Sequence, residues 1–183
     1  MLATPQQSRE RALALLNTLN DGQVTVPYFP GINPPVWEVG HAAFFFERFI
    51  LQNLDKALSY NPALDEIWDS FELAHEDRWQ TDLFPDKPDT LRYFDDTFAK
   101  VRNRILEKPL TQADLYLYKY AIFHLNMHIE SMVWCRQTLT YAPPPGANKT
   151  NNGDTEPVAA RVQGDVTIPA GRYKIGMPSN SVH

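Results

Sequence analysis

Residues 123–134 read FHLNMHIESMVW, placing His124 and His128 four residues apart in an otherwise apolar and aromatic run. On an α-helix such residues differ by about 40° in direction and about 6 Å along the axis. Two imidazoles so placed can converge on one metal ion, as in helical His-x-x-x-His sites. Burying two neutral imidazoles without partners costs about 1–3 kcal/mol each, and a shared ion relieves that cost. Two ligands hold a catalytic metal poorly, so a third is sought on another helix. His41 is the candidate, in the run VWEVGHAAFFF, where Gly40 lets a facing group come close. A third imidazole would complete one face of an ion and leave positions open for water or substrate. Nitrogen ligands admit Zn, Fe, Ni or Cu, and spacing does not choose among them. Histidines on apolar faces also serve as hydrogen-bonded core residues, so a purely structural role competes.

Glu130 lies two residues past His128. That is about 200° round the helix, which sets it apart from the same ion. It is expected either on the bundle surface or as an acceptor that fixes an imidazole tautomer.

Helices must position these side chains. A first opens at Ser8 in SRERALALLNTL, with Leu13, Leu15, Leu16 and Leu19 near helical spacing. NDGQ stops it, and the proline-rich VTVPYFPGINPP makes an extended connection. Asn33 caps a second helix with Pro34 at its first position. It runs through PVWEVGHAAFFFERFILQNL, where Trp37, His41, Phe44, Phe45 and Phe49 share a broad face. Residues 57–88 have little periodicity and are expected to line something or to hold short helical turns. Asp89 caps a third helix, with Leu91, Phe94, Phe98, Val101 and Ile105 at steps of three and four. Thr111 and Asp114 form a capping-box-like pair that opens the last helix, roughly 112–139. The fold class is all-α: a four-helix bundle with one long crossover, spanning residues 1–141.

Composition sets the bounds. The 183 residues are 43% hydrophobic and 21% charged, as in an ordinary globular domain. The net charge is −5, and no block of Lys or Arg occurs. Nucleic acid and anionic membrane surfaces are therefore not expected partners. Cys135 is the only cysteine, so no intrachain disulfide can form. No signal-peptide order of regions opens the chain, and no apolar run approaches the roughly 20 residues a bilayer needs. A cytoplasmic location is expected.

After Tyr141 the pattern changes. APPPGANKTNNGDTEP is a Pro-, Gly- and Asn-rich linker, taken as residues 142–164. In GDVTIPAGRYKIGM, Val166, Ile168, Tyr173 and Ile175 alternate around a PAG turn, which predicts an isolated β-hairpin opening a second domain over 165–183. A lone hairpin is marginal in water. The expectation is a piece of a longer polypeptide or a truncated gene product.

These stretches carry a resemblance. NPPVWEVGHAAFFFERF resembles the first-helix motif of the DinB-like domain in the ergothioneine-type sulfoxide synthases, and FHLNMHIE resembles that family's His-x-x-x-His-x-Glu motif. VTIPAGRYKIGM is similar to the opening of the formylglycine-generating-enzyme-like domain that follows in that family. Order and separations agree over nearly the whole chain. WDSFELAHEDRW, taken with FHLNMHIESMVWCRQTL, looks closer to the selenoneine-synthase branch.

The resemblance implies that His41, His124 and His128 bind Fe(II). The reaction would be oxidative C–S (or C–Se) bond formation on the imidazole of trimethylhistidine, with O2 and a thiol or selenol donor as co-substrates. It also implies that Arg78 helps to hold the donor's carboxylates, which suits bidentate pairing. The catalytic acid and most of the trimethylhistidine pocket belong to that family's second domain, so no catalytic residue is assigned within these 183 residues. Two other readings compete. One is a DinB-like thiol transferase that activates a thiolate with Zn or Ni. The other is a non-catalytic bundle with structural histidines.

Overall fold

Short apolar residues at helical spacing form α1, Pro5–Asn17, which buries Ala12, Leu15 and Leu16. A computed structural model describes residues 5–144 and 164–175 of the chain. The chain divides into two units, one of residues 3–145 and one of residues 146–183 with the first two. Helix α1 begins at Pro5, ahead of the expected Ser8. Ser8 is buried and donates its hydroxyl to Asn126 Oδ1 at 3.1 Å, so it ties two helices together and does not cap one. A short α2, Asp21–Val24, follows and is opened by a capping box between Asn20 and Gln23.

The central element is α3, Pro35–Phe46, in which every residue but Val36 is buried. Its N-cap is Pro34, with Pro35 just inside, and no side chain caps it. The expected cap, Asn33, is drawn away because its amide donates to Glu38 Oε1 at 3.1 Å. After Phe46 the backbone widens into a π-helical turn, Glu47–Gln52, and then closes as α4, Asn53–Asp55. Such widenings accompany an interruption of the regular ladder. Here Glu47 is buried on the turn and accepts from the Tyr60 backbone N–H at 2.6 Å, from Gln52 Nε2 and from the Tyr93 hydroxyl.

The crossover holds short turns, as expected. A 3₁₀ turn at Pro62–Leu64 leads into α5, Asp65–Trp68, and another 3₁₀ turn spans Glu76–Trp79. Helix α6, Lys87–Glu107, is capped by Asp86, whose side chain accepts from the Asp89 backbone N–H at 2.9 Å. The expected cap Asp89 lies inside the first turn instead, where its charge favours the positive helix end. Helix α7, Gln112–Thr138, opens with the expected Thr111–Asp114 capping box.

Helix α3 packs on α6 and α7, and α1 packs on α7. Phe46, Phe94, Leu16, Ile50, Leu125 and Ile129 fill the centre. Each such side chain contributes roughly 1.5–3 kcal/mol through burial. Two buried arginines brace the ends. Arg104 on α6 reaches Asp55 at 3.0 Å, Asp114 at 3.4 Å and the Tyr118 hydroxyl at 3.2 Å. Arg136 on α7 donates to the carbonyls of Leu15 and Ala142. No described helix is long and apolar enough to cross a membrane.

In the second unit, the expected hairpin does not form over residues 164–175: the described segment carries bends and no strand. Val166, Ile168, Tyr173 and Ile175 are exposed, with no sheet for either face to cover. An isolated two-stranded ribbon has too few cross-strand contacts to hold its ladder. Residues 145–163, most of the expected linker, and 176–183 lie outside the described residues.

Candidate metal centre

His41 comes from the middle of α3, and His124 and His128 come from successive turns of α7. Their Nε2 atoms turn toward a common point. His124 Nε2 lies 3.3 Å from His41 Nε2 and 3.1 Å from His128 Nε2, and the three donor atoms all lie within 4.8 Å of one another. Among the described residues no other group of three His, Cys, Asp or Glu gathers in this way.

The opposite ring nitrogens explain the orientation. His41 Nδ1 lies 2.6 Å from the Trp68 carbonyl oxygen, which only accepts, so Nδ1 carries the proton. His128 donates Nδ1–H to the Glu38 carboxylate. With the rings neutral, both Nε2 atoms present bare lone pairs to the centre. His124 differs: its Nδ1 is buried and has no hydrogen-bond partner. Its ring is instead stacked on Phe45, with centroids 3.6 Å apart and planes 14° apart.

Burial favours the uncharged form of the His41 and His124 rings. It lowers the pKa of His41 to about 4, with His128 adding to the effect and the Trp68 carbonyl opposing it. It lowers that of His124 to about 2, with His128 and His41 adding. Neutral imidazole is the form that binds a metal. Burial raises the Glu38 pKa, but hydrogen bonds from His128, Ser131 and Asn33 outweigh this and hold it below the usual carboxylate value.

The donor set fits an ion. Three lone pairs facing one another repel, and a single shared proton on His124 Nε2 relieves this only in part. An ion about 2.1 Å from each nitrogen would see pairs spaced 3.1–3.3 Å apart at roughly 95–105°, an ordinary ligand angle. The residues present would therefore hold a divalent first-row metal through His41, His124 and His128.

A wider frame fixes these rings. Glu38, one turn before His41, is 1% exposed and also accepts from the Ser131 hydroxyl and from Asn33 Nδ2. Asn33 Oδ1 in turn accepts from Arg78 Nη1 at 2.8 Å. Trp37 stacks on His41 with centroids 4.6 Å apart and planes 8° apart, and the Arg78 guanidinium sits 3.9 Å from the centre of its ring. Trp37 Nε1 donates to the Ile67 carbonyl at 3.0 Å. Two successive crossover carbonyls, of Ile67 and Trp68, are thus held by α3. Gly40 makes this possible: a Cβ there would come within 2.3–2.7 Å of the Trp68 ring.

The five residues singled out in the sequence fall in three places. His41, His124 and His128 meet at one point. Arg78 is half-buried and lines a cleft of about 260 Å³ with Trp37, Lys87 and others, and its buried Nε has no partner. Glu130 is exposed and makes no contact with the rings; the carboxylate that fixes an imidazole tautomer is Glu38. Helical geometry explains the difference, since two residues of advance turn Glu130 to the outer side of α7. Glu38 had one signal in the sequence, a lone carboxylate in α3 among ten apolar or small residues and His41.

Four helices packed around a shared core, with histidines projecting inward from two of them, define a helical-bundle class of domain. The family model of the DinB superfamily matches residues 6–135, and the chain belongs to that superfamily. No curated protein matches it.

Proposed function

We propose that this bundle is the metal-binding part of a non-haem Fe(II) oxidoreductase that forms a C–S (or C–Se) bond on the imidazole of trimethylhistidine. Its co-substrates would be O2 and a thiol or selenol donor. The observation that carries the reading is the convergence of three Nε2 atoms, two of them on rings whose Nδ1 faces an acceptor on the far side. The resemblance of NPPVWEVGHAAFFFERF and FHLNMHIE to the ergothioneine- and selenoneine-type synthases directs it to iron.

When bound, Fe(II) supplies one-electron and O2 chemistry at a site where several small molecules meet. The chain's own residues orient and exclude. Trp37 and Phe45 press on the His41 and His124 rings and keep water from those sides. Glu38 and the Trp68 carbonyl hold the two Nδ1 protons, so His41 and His128 keep the tautomer that faces the ion. Arg78 has an unsatisfied N–H and lies beside Trp37, where it would take a carboxylate of the donor.

Metal analysis after anaerobic purification of the full chain tests this. Iron near one equivalent, lost in His128→Ala, supports the reading. Zinc or nickel would support a thiol transferase instead. Iron loading unchanged in His128→Ala, or no metal at all, overturns the ligand assignment.

A further inference from the structure

We propose that Arg78 couples its cleft to the metal centre: a small carboxylate-bearing molecule in the cleft and a divalent ion on the three histidines each tighten the binding of the other, with Asn33 as the positioning residue between them. The inference rests on the metal reading and on the role given to Arg78 above, and adds a regulation that neither contains.

Arg78 stands where two supports of the centre meet. One runs through hydrogen bonds. Arg78 Nη1 donates to Asn33 Oδ1 at 2.8 Å, Asn33 Nδ2 donates to Glu38 Oε1 at 3.1 Å, and Glu38 accepts the Nδ1 proton of His128. The other runs through rings. The guanidinium lies 3.9 Å from the centre of the Trp37 ring, and Trp37 is stacked on His41 with planes 8° apart. The first support ends on a histidine of α7 and the second on the histidine of α3. The short turn that carries Arg78 is pinned from both sides. His75 Nε2 donates to the Ile32 carbonyl and Trp79 Nε1 to the Val26 carbonyl, each at 2.9 Å. The freedom left at Arg78 is therefore in its side chain.

The amide of Asn33 is the switching element. It has one donor end and one acceptor end. With Arg78 on its oxygen, its nitrogen faces Glu38 and holds it. With Arg78 withdrawn, the amide is free to turn its oxygen on the Glu38 carboxylate, which loosens the grip on His128. Coupling between two sites needs such an element, with two arrangements that both sites bias.

The bonding of Arg78 identifies what holds it in place. Among the described residues its guanidinium forms no ion pair. Nε is buried without a partner, and Nη1 is the one nitrogen with a hydrogen bond. Nε and Nη2 make the side-on fork that takes a planar carboxylate through two parallel bonds. A carboxylate there leaves Nη1 on Asn33 and keeps the guanidinium over Trp37, so it steadies both supports at once. The charges of the cleft agree: Arg78 and Lys87 face one acidic residue, Asp86, whose carboxylate caps α6.

Titration of the full chain with Co(II), followed by its visible spectrum, tests the coupling. Sodium propionate is the carboxylate probe, and sodium chloride at matched ionic strength is the control. Propionate should tighten Co(II) binding about fivefold or more. Arg78→Met should abolish the gain. Asn33→Ala should abolish it as well while still binding propionate, read by chemical-shift titration of the Arg78 side chain. A gain that survives in either variant places the carboxylate on the ion itself and overturns the proposal. Co(II) binding in the parent with no response to propionate also overturns it, and leaves the metal reading intact. No Co(II) binding at all sinks the metal reading, and the coupling with it. If circular dichroism shows the variants misfolded, the metal-free parent decides. Propionate should slow solvent exchange of the His128 Nδ1 proton, and an unchanged rate overturns the coupling.

Discussion

Glu38 on α3 and His128 on α7 are joined by a hydrogen bond from Nδ1–H to carboxylate, ninety residues apart in the chain. Glu38 stands one turn before His41. A single stretch of α3 therefore supplies one candidate ligand and orients another that belongs to a different helix. The centre and the α3–α7 packing are one construction.

Removing the Glu38 charge tests this coupling. Glu38→Gln keeps the side chain's size but weakens its hold on His128. Metal affinity, titrated anaerobically with Fe(II) or Co(II), should fall about 10–100-fold. Ser131→Ala removes only one of three donors to the same carboxylate and should have a smaller effect. Equal affinity in Glu38→Gln and the parent chain would show that the tautomer is fixed otherwise.

Gly40→Ala should disturb the centre from outside it. The added methyl would meet the Trp68 ring at 2.3–2.7 Å, and Trp68 supplies the carbonyl that orients His41. A displaced Trp68 should cost about 1–3 kcal/mol of stability and weaken metal binding together with it. Chemical denaturation and metal titration on one preparation check both.

Among the described residues His124 Nδ1 has no hydrogen-bond partner, and the flat face that steadies its ring is Phe45. Phe45→Leu keeps most of the apolar volume and should cost less than about 1.5 kcal/mol. It removes the flat surface, however, and should weaken metal binding more than that stability change accounts for. A variant that binds metal as tightly as the parent would end this argument.

Acid should loosen the end of the bundle where α4, α6 and α7 meet. Burial raises the Asp55 pKa, but hydrogen bonds and charges from Lys108 and Arg104 outweigh it and hold the group below its usual value. A carboxylate with a depressed folded pKa stabilises fully above its unfolded value, and that stability fades as pH falls through the folded one. Urea midpoints should therefore decline from about pH 5 downward, and Asp55→Asn should show a shallower decline from a lower starting point. Parallel curves for the two chains would contradict the assignment.

The three histidines were legible because helical spacing constrains them: His124 and His128 share a face at any register, and Gly-His in an aromatic helix left few alternatives. Glu38 was not, because its partner lies on a distant helix and no local period relates them. Asn33 and Asp89 are not the caps their positions predict, for a related reason. Their side chains satisfy the preference for a polar residue near a helix start, but Asn33 is claimed by Glu38, and Asp86 reaches the first turn before Asp89 can. The widening at Glu47–Gln52 left no periodic trace, since it answers to Tyr60 and Tyr93 elsewhere in the chain. The alternation in VTIPAGRYKI suggested a ribbon, but alternation specifies a strand only where another strand or a core accepts it.

The carbonyls of Ile67 and Trp68 tie the longest connection of the bundle to the same helix turns that carry His41. That connection is thus a gauge of the centre's occupancy. Whatever steadies the imidazole of residue 41 also tightens the strap crossing above it, and a protease offered the chain would read, from how fast it cuts there, whether the histidines are holding anything.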